Sequence, residues 1–274
     1  MTFSVQETDR LDRLLAVVAE AEIMSRFNRL QAGEVRAKSS ATDLVTDADE
    51  AAEEAIAAAL RETYPGAAIL GEEAATRDPG LLDTIGNAPL AFIVDPVDGT
   101  RNFVAGLPVF AVMAAVSVHG DVVAGVIHDP VSRTSAIAVR GQGAWLKQAD
   151  GSTRSLRVAA PVPVNEMEAI VAVGFLGEPL RSVVARNMSK LGSTAALRCA
   201  AHEYRLAAGG HCHLLMYNKL MPWDHAAGWL LHREAGGYSA HYDGTPYRPT
   251  QRTGGLLYAP DEASWHRARD ALLT

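Results

Sequence analysis

The sequence contains little cysteine and no long uncharged apolar run. Two cysteines, Cys199 and Cys212, are too few for a disulfide framework. No apolar segment is long enough to cross a bilayer, so we expect no membrane partner. Residues 1–10 have neither a basic region nor an apolar core. They do not form a secretory signal, and the expected location is cytoplasmic.

Basic residues are also fewer than acidic residues. Lys and Arg total 25 against 32 Asp and Glu, which gives a formal net charge of −7. Without a Lys/Arg stripe, nucleic acid is not expected as a partner. No P-loop is present, and His211-Cys212-His213 lacks the spacing of the usual zinc sites. The 274 residues, 48% of them hydrophobic, are sufficient for a sizeable core.

Carboxylates recur where apolar segments begin or end. The segments are Asp43-Leu44-Val45-Thr46-Asp47-Ala48-Asp49, Gly71-Glu72-Glu73, Asp95-Pro96-Val97-Asp98-Gly99-Thr100 and Trp223-Asp224-His225-Ala226-Ala227-Gly228. Strand ends are where α/β folds place their chemistry. Converging Asp side chains repel each other unless a cation lies between them, and hard oxygen ligands suit Mg²⁺. The pattern indicates a metal site.

Each segment also has a purely structural interpretation. The Asp95 segment fits a β-turn, and Thr46 with Asp49 fits a capping box. Glu72 and Glu73 could solvate a loop, and Asp224 could be an N-cap or first-turn acid. These interpretations are adequate for any one segment alone. The repetition of acids at the edges of apolar segments favours a common site.

The hydrophobic pattern predicts alternating helices and antiparallel strands. Helices are expected over residues 7–30, 47–63, 180–189, 194–208 and 224–234. Strands are expected over 109–118, 122–127, 135–139, 144–146 and 169–173. A Pro-containing seam at 159–163 divides one compact unit into an N-terminal α+β half, 1–160, with most metal ligands, and a C-terminal α/β half, 161–274. The mixture predicts the α+β class.

The acidic segments together resemble the signatures of the inositol monophosphatase family, part of the lithium-sensitive, Mg²⁺-dependent sugar phosphatases. The matching stretches are Gly71-Glu72-Glu73, 95–103, 223–228 running to 234–237, and 43–49. The resemblance implies a layered α-β-α-β-α sandwich of the inositol monophosphatase and fructose-1,6-bisphosphatase type. It also implies a phosphoric monoester hydrolase, a homodimer and inhibition by Li⁺.

The resemblance implies a role for each acid. The expected metal ligands, for two to three Mg²⁺ ions, are Glu72, Asp95, the main-chain carbonyl of Val97, Asp98 and Asp224. The catalytic residues would be Thr100, Asp49 and Glu72. Thr100, paired with Asp49, would orient and deprotonate the attacking water, and Glu72 would also contact a more weakly held third ion. Backbone N–H groups around Gly99 and Thr100 would hold the phosphate. Bound metal would reverse the sign of this acidic site and activate water.

Substrate selection is where the sequence departs from the family. Inositol-specific members have an acid about seven positions before the Asp of the Trp-Asp motif, and this chain has Tyr217 there. A phenol accepts hydrogen bonds from sugar hydroxyls less well than a carboxylate does. Lys219 could meet a second anionic group or be a solvated surface charge. Ser193 and Thr194 match the family's small-residue substrate loop and support a polyol or sugar phosphate.

Alternatives remain open within and outside the enzymes. The expected substrate is inositol monophosphate or a related polyol phosphate. A sibling activity on fructose 1,6-bisphosphate, histidinol phosphate or adenosine 3′,5′-bisphosphate is the first alternative. Asp95 and Asp98 are three residues apart, whereas phosphatases that form an aspartyl phosphate use Asp-x-Asp, so metal-activated water is favoured over a covalent intermediate. The other alternative is a regulatory binding protein of the same fold.

Overall fold

Helices and strands alternate along the described part of the chain, residues 3–31, 33–38, 40 and 44–274 of the computed structural model. The α-helices there are α1 (Val5–Val18), α2 (Asp47–Thr63), α3 (Glu72–Arg77), α4 (Thr100–Val104), α5 (Leu180–Asn187), α6 (Ala200–Ala208), α7 (Pro222–Glu234) and α8 (Glu262–Leu273). A π-helical segment, Ala19–Met24, continues α1. Short 3₁₀-helices lie at Pro79–Asp83, Val164–Glu166, Val173–Phe175 and Met188–Lys190.

The strands form one small and two large sheets. The strands are β1 (Val35–Ala37), β2 (Leu44–Thr46), β3 (Ala68–Gly71), β4 (Ala91–Asp98), β5 (Ala111–Val118), β6 (Asp121–Asp129), β7 (Thr134–Val139), β8 (Gly143–Lys147), β9 (Thr153–Ser155), β10 (Glu168–Val171), β11 (Ser193–Ala195), β12 (Leu214–Tyr217), β13 (Tyr238–Ala240) and β14 (Leu256–Ala259). β1 pairs with β2, seven strands follow the order β3 to β9, and five follow the order β11-β10-β12-β14-β13.

The layers stack as α-β-α-β-α, which confirms the predicted architecture. One core joins α1 and α2 to one face of the seven-stranded sheet. A second core places α6 and α7 between the two large sheets. A third joins α5 and α8 to the other face of the five-stranded sheet. Every residue of β5 and β7 is buried, as expected for strands covered on both faces.

Two predicted helices have bounds that differ by six residues or more in the structure. The expected helix over 7–30 begins at Val5, because Ser4 and Glu7 form a capping box, and its last turn ends at Met24. Asn28 then has a left-handed φ of 59°, which ends helical geometry. The expected helix over 194–208 begins only at Ala200. Residues 193–195 instead pair with β10 as strand β11, a long-range contact that overrides the local alanine-rich pattern.

Among the described residues, no helix is both long enough and apolar enough to cross a bilayer.

His232 on α7 makes the folded protein sensitive to acid. Its ring is 2% exposed, and its Nδ1 has no hydrogen-bond partner among the described residues. Burial lowers the pKa of His232 to about 3. The unfolded state, with a His pKa of about 6.5, therefore binds the proton more readily, and folding stability is lost as the pH falls below that value.

Replacing His232 with Leu should remove this sensitivity. We expect His232→Leu to lose about 2 kcal/mol less folding free energy than the wild type between pH 7 and pH 5. Urea denaturation at both pH values measures the difference. His266→Gln, which changes an exposed histidine on α8, is the control and should behave like the wild type. Equal losses in His232→Leu and the wild type would contradict the prediction.

Candidate metal and phosphate site

The parallel pair β3 and β4 brings two acidic motifs to the same end of the seven-stranded sheet. Gly71 lies opposite Val94 in their register. Glu72 therefore follows β3 at the level where Asp95 lies on β4. Asp224 comes from the first turn of α7, which packs against β4 to β8. Three distant segments thus contribute one carboxylate each.

These three carboxylates form a cluster that can hold a metal ion. One ligand oxygen from each of Glu72, Asp95 and Asp224 lies within 4.8 Å of the other two. Asp95 is only 1% exposed. All the donors are carboxylate oxygens, the ligand type of hard cations such as Mg²⁺.

The electrostatics of the cluster explain why a cation fits. Burial raises the pKa of Asp95 well above its usual value, and the charges of Glu72, Asp98 and Asp224 raise it further. Burial, and then Asp224, also raise the pKa of Glu72. Like charges held together out of water oppose one another's ionisation. A cation between them would remove this penalty.

Asp98 lies beside this cluster and is oriented by the start of α6. Its Oδ2 accepts hydrogen bonds from the Ala201 N–H at 2.6 Å and from the Cys199 thiol at 3.0 Å. Burial raises the pKa of Asp98 to about 7, and the charge of Asp224 adds to that shift. Asp98 is thus near Asp224, as expected of a shared ligand site, with one oxygen committed to the protein.

The turn after Asp95 is held by its own hydrogen bonds. Asp95 Oδ1 accepts from the Val97 N–H at 3.1 Å, and the Val97 carbonyl lies 3.0 Å from the Thr100 hydroxyl. Gly99 has a φ of 91°, and a Cβ there would lie 2.8 Å from the Val109 carbonyl oxygen. Only glycine fits this conformation and this space. Thr100 then begins α4.

Thr100 and Asp49 are in contact, and Asp49 also performs the structural role inferred for it. Asp49 Oδ1 accepts from the Thr100 hydroxyl at 3.0 Å. Its Oδ2 accepts from the Thr46 N–H at 2.9 Å, which completes the capping box of α2. Burial raises the pKa of Asp49 to about 6, so it is mostly ionised at neutral pH. Asp43, from the same motif, lies outside the described residues.

Lys38 is a cation that sequence analysis missed. Its ammonium lies 2.8 Å from Glu72 Oε1 and 2.5 Å from Glu73 Oε1. Burial lowers the pKa of Lys38, but the two carboxylates outweigh that effect and the pKa is raised. The sequence around Lys38 carries no motif that would have identified it. Glu73, which could have solvated a loop, is instead buried at the start of α3.

Glu53 of α2 holds the turn that carries Glu72, and sequence analysis did not identify it either. Its two carboxylate oxygens accept from the Glu73 and Ala74 N–H groups, each at 2.7 Å, and so cap α3. A Cβ on Gly71 would lie 2.2 Å from Glu53 Oε2. The glycine of the Gly-Glu-Glu motif therefore allows the cap to approach, which orients the turn that carries Glu72.

The predicted substrate residues are in different settings. Ser193 and Thr194 are exposed on β11, and among the described residues no hydrogen bond joins their side chains to the acidic cluster. Tyr217 is buried, and its hydroxyl donates to Glu203 Oε2 at 2.8 Å. The segment that does reach Asp98 is 199–201, at the start of α6, which sequence analysis did not single out.

Two known proteins have sequences similar to most of this chain. The chain is 35% identical over 245 residues to "Nus factor SuhB" of Pseudomonas aeruginosa, covering 85% of this chain and 84% of that protein. It is 34% identical over 206 residues to "Inositol-1-monophosphatase" of Mesorhizobium japonicum, covering 74% and 73%.

Solved structures show the same fold. The crystal structure of extragenic suppressor protein suhB from Bartonella henselae matches with a TM-score of 0.82 at 29% identity, covering 96% of this chain and 97% of the other. An inositol monophosphatase from Zymomonas mobilis matches with a TM-score of 0.79 at 25% identity, covering 98% and 99%. The sequence model of the inositol monophosphatase family matches residues 4–272. The chain therefore belongs to the inositol monophosphatase family.

Proposed function

We propose that this protein is a Mg²⁺-dependent phosphatase that hydrolyses a small phosphate monoester with water as the nucleophile. The observation that carries the proposal is the group formed by the buried Asp95 and the half-buried Glu72 and Asp224, with oxygens within 4.8 Å of one another. Three carboxylates this close oppose one another's ionisation, so the fold alone gives no reason for the group to be acidic. Family membership makes phosphate ester hydrolysis the chemistry that explains it best.

The ligand set proposed for two to three Mg²⁺ ions fits the donors present. It comprises Glu72, Asp95, Asp98, Asp224 and the Val97 carbonyl, all of them oxygen donors. When bound, Mg²⁺ neutralises the phosphate dianion and lowers the pKa of coordinated water. Other residues of the chain orient these donors. Glu53 accepts a hydrogen bond from the backbone next to Glu72. Cys199 and Ala201 donate hydrogen bonds to Asp98.

Thr100 and Asp49 are proposed to position the attacking water. With Asp49 ionised, the Thr100 hydroxyl donates to Asp49 Oδ1 at 3.0 Å. The lone pairs of Thr100 Oγ1 then remain free to accept a hydrogen bond from water. Removing that acceptor should cost about 10²-fold in rate, as is usual for general acid–base groups.

The test is phosphate release from inositol 1-phosphate, with Mg²⁺ as the variable. We expect release that saturates with Mg²⁺ in the wild type, a fall of about 10²-fold in kcat for Thr100→Ala, and activity close to wild type for Thr100→Ser. The serine variant is the matched control, because it keeps the hydroxyl. Fructose 1,6-bisphosphate, histidinol phosphate and adenosine 3′,5′-bisphosphate complete the panel. No Mg²⁺-dependent release from any of the four would contradict the proposal.

A second candidate function follows from the relatives' names. Proteins named "Nus factor SuhB" are among the relatives, at 35% identity for the one from Pseudomonas aeruginosa. A regulatory binding role, with or without catalysis, is therefore the alternative. A variant that cannot release phosphate but keeps the cellular role would favour it. We also propose that the protein forms a homodimer and is inhibited by Li⁺. Sedimentation would test the first proposal, and a Li⁺ titration of activity would test the second.

A further inference from the structure

Lys219 is an exposed cation on a loop that leads directly to Asp224. We infer that Lys219 binds a second anionic group on the substrate, so that the preferred substrate is a phosphate monoester with an additional phosphate or carboxylate. This inference rests on the proposed function, because it concerns the leaving group of the same reaction.

The loop after β12 is fixed on three sides. The Tyr217 carbonyl accepts from the Tyr242 hydroxyl at 2.6 Å. Asn218 Nδ2 donates to the Phe175 carbonyl at 2.7 Å. The Lys219 carbonyl lies 2.8 Å from Nε2 of His225, the residue after Asp224. The backbone of Lys219 is therefore hydrogen-bonded directly to the residue that follows Asp224, a proposed metal ligand.

The imidazole that anchors Lys219 is itself immobile. Since a carbonyl can only accept, His225 Nε2 carries the proton, and Nδ1 lies 2.8 Å from the Tyr204 hydroxyl. Tyr204 is fully buried. These contacts hold the backbone of Lys219 in place. A rigid backbone of this kind is what a specificity residue requires.

The same loop offers no carboxylate to a neutral polyol. Tyr217 is buried, and its hydroxyl is committed to Glu203 Oε2 at 2.8 Å. Glu203 Oε1 accepts from the Leu197 N–H at 2.9 Å. Both oxygens of Glu203, the acid that contacts Tyr217, therefore already have protein partners. A substrate recognised through several sugar hydroxyls would find no free carboxylate acceptor at these two residues.

The charge of Lys219 is not neutralised by the protein. Two lysines, Lys38 and Lys219, are placed near the proposed metal ligands, Lys38 by its ion pairs and Lys219 by the contact of its carbonyl with His225, the residue after Asp224. Lys38 is bound to Glu72 and Glu73. Within the described ranges, the Lys219 ammonium has no hydrogen bond or ion pair. It is the cation of this pair that remains free for an incoming anion.

Matched substrates that differ by one phosphate test the inference. The pairs are adenosine 3′-phosphate with adenosine 3′,5′-bisphosphate, and inositol 1-phosphate with inositol 1,4-bisphosphate. We expect the wild type to favour the bisphosphate in at least one pair by about 10-fold in kcat/KM. Lys219→Gln should remove this preference, mainly through KM, and Lys219→Arg should keep most of it. Added salt should weaken the preference, because the contact is ionic.

Lys190→Gln is the control, since it removes the same charge from an exposed lysine of the 3₁₀-helix Met188–Lys190. It should leave the preference intact. Overturning results are equal kcat/KM within both pairs, a preference for both monophosphates, or a preference that survives Lys219→Gln. These results leave Mg²⁺-dependent release from the monophosphates unaffected. Failure of the proposed function would show differently, as no Mg²⁺-dependent release from any of the four substrates.

Discussion

An Asp95→Asn protein is expected to lose at least about 10³-fold in Mg²⁺-dependent phosphate release. Asp95 is the buried carboxylate of the proposed ligand set, so its replacement should weaken cation binding at the cluster. An amide oxygen carries no formal charge and is a poorer ligand for Mg²⁺. Phosphate release at saturating Mg²⁺, with the wild type measured in parallel, gives the ratio.

The same variant should keep its fold in the absence of metal. Asp95 is buried among acids that raise its pKa, so an uncharged side chain relieves repulsion. We expect the melting temperature of metal-free Asp95→Asn to be equal to or above that of the wild type. Mg²⁺ should raise the melting temperature of the wild type and not that of the variant, because only native protein with an intact site gains binding energy.

Asp12→Asn is the matched control for this experiment. Asp12 is a carboxylate of α1 that is 4% exposed, compared with 1% for Asp95, and it pairs with Lys147 away from the cluster. It should keep Mg²⁺-dependent activity and the Mg²⁺-induced rise in melting temperature. Retention of both properties by Asp95→Asn would contradict the assignment of Asp95 as a metal ligand.

Replacing Gly228 with Ala should destabilise the protein by about 3 kcal/mol. A Cβ on Gly228 of α7 would lie 2.0 Å from Cδ2 of Tyr204 on α6. The Tyr204 ring cannot withdraw, because it is fully buried and its hydroxyl is held by His225 at 2.8 Å and Tyr258 at 2.7 Å. The two helices would have to separate instead. Urea denaturation of both proteins at pH 7 measures the cost.

The separation should also reduce activity in the molecules that remain folded. α6 begins with the groups that hold Asp98, and the first turn of α7 carries Asp224. A shift between these helices changes the distance between the two carboxylates. Gly177→Ala is the control, since a Cβ there would meet nothing within 4 Å. A Gly228→Ala protein as stable as this control would contradict the prediction.

Local patterns were sufficient for much of the fold. The capping box of Thr46 and Asp49 and the hairpin of β5 and β6 depend on neighbouring residues, and both are present. Family resemblance supplied the layered architecture, which the structure confirms. The start predicted for the helix over 194–208 was wrong, because residues 193–195 form strand β11 by pairing with β10. The secondary-structure propensity of a short stretch of sequence contains no information about a distant partner strand.

The site was visible in the sequence only where its residues form motifs. The acids at the edges of apolar segments were identified, and three of them converge. The residues that hold them were not. Lys38, Glu53 and Cys199 act through side chains that reach other segments, and nothing near them in the sequence marks that contact. Supporting residues of this kind become visible only when distances are known.

The long sequence separation between Asp98 and its partners has a consequence for folding. The donors to Asp98 come from Cys199 and Ala201, 101 and 103 residues further along the chain. During synthesis, the early acids emerge well before those donors exist. Long-range closure of this kind is slow, and partly formed chains are prone to misassembly. A cation bound at the proposed site would stabilise only the completed structure, and so would favour fully folded molecules over partly folded ones.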